Sequence, residues 1–232
     1  SLLLPLMRLT NCGNNNKAQI EYTERAFEMR RKLPGFKVNG NSAPIANVLA
    51  QLYLDSSNTE RAEHFAKEAC SLSEALFGRG SGHHLWCKCT FAMVKIKEGK
   101  KAEGEAILDE NFKEAQKLNS LYEIEVLTRS VNVLLKYGFF QRACEIADLA
   151  ENKSRKFLED CDPELQLARD QLDAVCNWHL GRHAKAEQLI SIYLTDLNKF
   201  YPEKSGRIKV LKEARKSLQD AKLFELAKLL PP

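Results

Sequence analysis

The stretch SGHHLWCKCTFAM, residues 81–93, brings His83, His84, Trp86, Cys87 and Cys89 together. Imidazoles and thiols this close could hold zinc or activate a nucleophile. For zinc, His83 and Cys87 stand four residues apart and share a helix face, but Cys89 points elsewhere and no fourth ligand lies nearby. A reactive Cys87 beside an imidazole would need a third group to orient the base, and none is evident. The stretch therefore reads as a core tryptophan and a core thiol, Trp86 and Cys89, with His83 and His84 exposed where a loop enters a helix. The histidines of NWHLGRH, 177–183, read in the same way as exposed helix-end residues. EDCDPE, 159–164, reads as a solvated loop in which Asp162 caps the helix opened by Pro163. There is no Gly-rich phosphate loop, no nucleophile elbow and no H-E-x-x-H. The expectation is a protein that is not an enzyme, with no catalytic residue, no metal and no cofactor.

Composition agrees with an ordinary globular chain: 232 residues, 28% charged and 44% hydrophobic. A net charge of +4 lacks the concentrated basic stripe of a nucleic-acid binder, so no nucleic-acid partner is expected. Seven irregularly spaced cysteines, several within apolar helical stretches, predict reduced thiols in a cytoplasmic protein, a nuclear one being the other option. No apolar run reaches the roughly 18 residues of a membrane span, and SLLLPLM has no charged flank or cleavage site of a signal peptide. That opening reads as a cut entering mid-element.

Strand patterns are almost absent, while helical periodicity runs nearly from end to end between Gly, Pro and Asn breaks. Within it a small-residue pattern recurs. Ala62, Ala66 and Ala69 repeat as Ala143, Ala147 and Ala150; Ala102 with Ala106, Ala186 with Ile190 and Tyr193, and Ala18 with Tyr22 are weaker copies. The first residues of these groups, 18, 62, 102, 143 and 186, are separated by 44, 40, 41 and 43. Nine residues earlier stand Tyr53, Met93 and Leu134, with Asn177 the exception; five earlier stand Gly13, Gly138 and Gly181. Bulky residues on one helix, a tight turn and small residues on the next form the layout of a tetratricopeptide repeat. The small residues let the two helices approach closely. The spacing predicts helices over 43–55 and 58–77, 83–97 and 100–118, 121–136 and 139–158, and 164–180 and 183–200. One less regular repeat is expected over 1–32 and capping helices over 203–232. The fold class expected is all-α, an α-solenoid of stacked antiparallel helix pairs, with 1–232 as a single domain of about five pairs.

Residues 43–82 resemble the long repeats of kinesin light chains. Asn47, Leu49, Ala50, Leu52 and Tyr53 match the N-x-L-A-x-L-Y helix, and Ala62, Glu63 and Ala69 match the A-E-x-x-x-x-x-A helix. The detailed match covers essentially one repeat, and the loop's usual His-Pro is replaced by His83-His84. The resemblance implies a cargo-adaptor-like role.

In such a stack the first helices line a concave face. Its expected groove positions pick out Asn47 and Gln51; His84, Cys87, Lys88, Phe91 and Lys95; Thr128, Arg129, Asn132 and Lys136; and Gln171, Val175, Trp178 and His179. The expected peptide-binding set is Asn47, Gln51, Lys88, Phe91, Lys95, Arg129, Asn132, Lys136, Gln171 and Trp178. Asparagines can pair with both groups of an extended backbone, basic side chains favour an acidic protein or peptide partner, and Phe91 and Trp178 can anchor apolar groups. Two classes stay open: an interaction scaffold binding an extended acidic peptide, and a structural subunit or substrate receptor in a larger assembly such as a ubiquitin ligase. An open polar-aromatic groove would favour the first, an apolar outer surface the second.

Overall fold

A computed structural model describes residues 16–35, 40–154, 163–220 and 223–231. Gly13, Cys12, Cys161 and the expected Asp162 cap lie outside the described residues. The helices are α1 (Asn16–Arg31), α2 (Ser42–Asp55), α3 (Thr59–Phe77), α4 (Gly82–Lys97), α5 (Lys101–Ala115), α6 (Leu121–Lys136), α7 (Phe140–Ser154), α8 (Pro163–His179), α9 (His183–Phe200), α10 (Lys204–Asp220) and α11 (Phe224–Lys228). No strand occurs among the described residues. No helix among them is long and apolar enough to cross a membrane. The chain divides into two compact units, 1–130 and 131–232, the division falling within α6.

One hairpin turn is used four times among the described residues. It joins α2 to α3, α4 to α5, α6 to α7 and α8 to α9, each time across three residues. Its middle residue has positive φ in every copy: Ser57 at 61°, Gly99 at 83°, Gly138 at 81° and Gly181 at 72°. That left-handed residue folds the chain back so that the next N–H reaches the carbonyl five residues earlier, as in a Schellman cap. The bonds are Asn58 N–H to Tyr53 C=O, Lys100 to Lys95, Phe139 to Leu134 and Arg182 to Asn177, all 2.9 Å. Three copies use glycine, which adopts this conformation without a Cβ penalty. Ser57 is the exception.

The turn sets the register of the second helices. The fourth residue of each is small and buried: Ala62, Gly104, Ala143 and Ala186. The next two inward positions hold Ala66, Leu108, Ala147 and Ile190, then Ala69, Asn111, Ala150 and Tyr193, all buried. Here the sequence expectation needs correcting, because Ala102 and Ala106 are exposed and Gly104 takes their place. The repeat marks are therefore 62, 104, 143 and 186, separated by 42, 39 and 43. A Cβ on Gly104 would lie 2.5 Å from Ile96 Cγ1 and 2.7 Å from the Ala92 carbonyl, so α5 needs glycine to approach α4 this closely. In α1 the correction is similar. Tyr22 is 64% exposed, and it is Thr23 and Phe27 that face inward.

Within the first unit, α2 packs on α3, α3 on α4 and α4 on α5, and α2 also touches α4. The α2–α3 and α4–α5 pairs thus stack first helix to first helix. Phe65 of α3 anchors the α1 end, edge-on to Phe27 at 5.9 Å and stacked on Tyr53 at 5.6 Å. The Arg61 guanidinium lies over Tyr53 and Phe65 at 5.2 and 5.3 Å and pairs with Glu24, which also accepts from the Tyr53 hydroxyl at 2.8 Å. In the second unit α7 packs on α8, α8 on α9 and α10 on α11. Ile190, Tyr193 and Leu197 of α9 meet Ala214 and Leu218 of α10 and Leu226 and Leu230 at the end of the chain. The basic 203–232 segment becomes the helices α10 and α11, and Arg215 donates to the Leu230 carbonyl.

Candidate functional site

The His/Cys stretch opens α4. Ser81 caps the helix, its Oγ accepting from the His84 N–H at 3.3 Å. His84 Nδ1 accepts from the Gly80 N–H at 3.0 Å, which requires the proton of the neutral ring to sit on Nε2. Both histidines are buried, contrary to the exposed junction expected from sequence. Phe77 and Tyr122 cover the junction: His83 stacks on Phe77 at 4.0 Å and lies 5.5 Å from the Tyr122 ring. Burial, with the Arg129 charge adding to it, lowers the His83 pKa to about 4.

Trp86 and Cys89 are core residues, as the sequence predicts. Cys89 Sγ points to the Ser130 carbonyl at 3.9 Å, and burial pushes its thiol up to about 12. Cys87 is also raised by burial, so neither thiol is a thiolate at neutral pH. In the second unit Cys176 interacts with Cys144, which lowers the Cys144 thiol and raises that of Cys176. Among the described residues no group of three or more His, Cys, Asp or Glu is placed to hold a metal ion. His179 is half-buried against Phe140 at 4.0 Å, whereas His183 is exposed beside Trp178.

The expected groove residues divide by environment. Asn47 is fully buried, and neither polar atom of its side chain has a hydrogen-bond partner among the described residues. Val175, His84 and Cys87 are buried too. These side chains present nothing to a ligand. Gln51 is half-buried and donates to Thr90 Oγ1 at 3.2 Å, tying α2 to α4. Lys88 is paired with Glu110 at 2.7 Å, which lowers the Glu110 pKa.

Lys95 is buried, 2.6 Å from Glu63 and 3.6 Å from both Glu98 and Glu103, with its Nζ 5.1 Å from the Phe91 ring centre. Hydrogen bonds from Lys95 and Lys67 hold Glu63 down at about 2. The corrected register explains this lysine. Nine residues before Gly104, it stands where other repeats place buried Tyr53, Leu134 and Asn177. It is a core-position lysine made tolerable by carboxylates, and counting from Ala102 hides it.

Arg129, Asn132 and Lys136 lie on one stripe of α6, which Tyr122 extends by two turns. Tyr122, Asn132 and Lys136 are exposed. The half-buried Arg129 guanidinium sits 5.2 Å from the Trp86 ring centre and is ion-paired to no carboxylate among the described residues. Lys136 Nζ lies 5.7 Å from the Tyr137 ring centre. Gln171, half-buried, donates to the Ala214 carbonyl at 3.4 Å, and Trp178 is half-buried against the second unit's core.

Repeated helix hairpins with a left-handed turn residue and a small-residue contact make this an all-α helical-repeat fold with a tetratricopeptide-like layout. No family model matches the chain, and no curated protein matches it. Among solved structures it is similar to a crystal structure of nearly identical tetratricopeptide-like repeats, from a Podosopora anserina protein assigned as a kinesin light chain. The identity is 15%, the match covers 82% of this chain and 93% of that one, and the TM-score is 0.47.

Proposed function

We propose that the chain is a non-enzymatic protein-interaction scaffold, and that the α6 stripe of Tyr122, Arg129, Asn132 and Lys136 receives an extended acidic segment of a partner. The observation that carries this reading is the state of Arg129. Lys88 and Lys95 are neutralised by carboxylates of their own unit, whereas Arg129 is held over Trp86 without one among the described residues. Asn132, exposed one turn further on, offers an amide that can pair with a peptide's N–H or C=O. The groove proposed from sequence thus contracts toward α6, because Asn47 and Lys95 are buried within the repeat stack.

To test this, peptides are selected from an acidic library and the best is titrated against wild type, Arg129→Glu and Asn132→Ala at two salt concentrations. Arg129→Glu should weaken binding and flatten its salt dependence. Asn132→Ala should cost roughly 1 kcal/mol with little salt effect. Unchanged affinity in both variants would remove α6 from the site. That outcome would favour the structural-subunit reading, which is supported by an apolar face on α1: Tyr22 and Met29, seven residues apart, are 64% and 63% exposed.

A further inference from the structure

A cavity of about 280 Å³ lies within the second unit, walled by Leu167 and Gln171 of α8, Tyr193 of α9, Tyr201, and Val210, Glu213 and Ala214 of α10. It is slightly below the roughly 300–1,000 Å³ of small-molecule sites and has room for one long side chain. Its apolar wall is Leu167, Val210 and Ala214, and its two aromatic rings are tyrosines. The one charged group on the lining is the Glu213 carboxylate, which only accepts. One N–H of Gln171 Nε2 is engaged by the Ala214 carbonyl at 3.4 Å, which leaves Oε1 and the second N–H open. Tyr193 is 2% exposed and lines the cavity, and its hydroxyl can accept as well as donate. Glu213 is exposed and ion-paired with no described basic group. Burial raises the Tyr193 hydroxyl to about 12, with Asp170, Tyr201 and Glu213 adding to the rise, so the surroundings disfavour a second negative charge.

We propose that this cavity binds the side chain of an arginine or lysine from a partner protein, its methylenes against Leu167, Val210 and Ala214 and its cationic head among Tyr193, Gln171 and Glu213. Arginine and lysine bring a positive charge and only donors, which suits the Glu213 carboxylate, Gln171 Oε1 and the Tyr193 oxygen, and their stems suit an apolar wall. A tyrosine face adds attraction for the cation. This site is independent of the α6 stripe and calls for the opposite charge, so either can fail alone.

The test titrates the full chain with acetyl-Gly-Arg-Gly-amide and, as an uncharged control of similar stem length, acetyl-Gly-norleucine-Gly-amide, following backbone amide shifts by NMR. The arginine peptide should saturate shifts around Gln171, Tyr193 and Ala214 in the millimolar range, while the norleucine peptide should not. Glu213→Gln, at an exposed position that carries no packing, should weaken the arginine peptide about tenfold. Tyr193→Phe should weaken it less while keeping the core filled. No response to arginine, an equal response to norleucine, or an unchanged affinity in Glu213→Gln would each overturn the proposal.

Discussion

Lys95 shows how a single residue can occupy a core position without being a core residue. Its ammonium is buried, and Glu63 is held at about 2, well below the ordinary carboxylate value. A carboxylate depressed by folding stabilises the protein above its unfolded pKa, and that stability is lost as pH falls from about 4.5 toward 2. Lys95→Met removes the hydrogen bond that chiefly depresses Glu63, so its stability deficit relative to wild type, about 1–3 kcal/mol at pH 7, should shrink across that window. Chemical denaturation at pH 7, 4 and 2.5 measures the difference. His83 acts at higher pH. A base whose pKa falls from about 6.5 to about 4 on folding contributes stability above pH 6.5, and this is lost as the pH drops through that interval. His83→Phe keeps an aromatic ring on Phe77 but cannot titrate. Its melting temperature should fall less between pH 7 and 4 than that of wild type.

At the scale of the element, two glycines of one hairpin are needed for different reasons. Gly99 has nothing within 4 Å of where its Cβ would be, and only its φ of 83° resists substitution. Gly104 has ordinary helical geometry, but its Cβ would strike Ile96 and the Ala92 carbonyl. Gly99→Ala should therefore cost about 1 kcal/mol through backbone strain. Gly104→Ala should cost about 1–3 kcal/mol through overpacking, although alanine is the better helix former. Ser57→Gly should be neutral or gain up to about 1 kcal/mol, because glycine relieves the left-handed strain at some cost in unfolded-chain entropy. Thermal melts of the three variants separate these effects. If Gly104→Ala melted at or above the wild-type temperature, the close α4–α5 contact would not hold.

For the whole molecule, the relevant property is that stability in a repeat array is a sum of nearest-neighbour terms. Ala62→Leu should overpack α3 against α2 and cost about 1–3 kcal/mol. Hydrogen exchange should then rise first in α2, α3 and α4, the helices in mutual contact. A uniform rise along the entire chain would mean that the two units open as one. The sequence by itself determined the helical class, the hairpin repeat and nearly all helix boundaries. Small residues, turn glycines and a period near 42 are local signals that the chain states directly. Trp86 and Cys89 were legible as core for the same reason. Tertiary structure alone decided the register of the α4–α5 pair, because the alanine at 102 and the glycine at 104 are both small residues and only contact with α4 shows which one faces inward. It also decided the state of the chemical groups. His83 is buried because Phe77 and Tyr122, from other helices, close over it, and Lys95 is neutralised by Glu63, 32 positions away in the chain. Periodicity fixes which way a side chain points along its own helix; what it meets there depends on a neighbour distant in sequence.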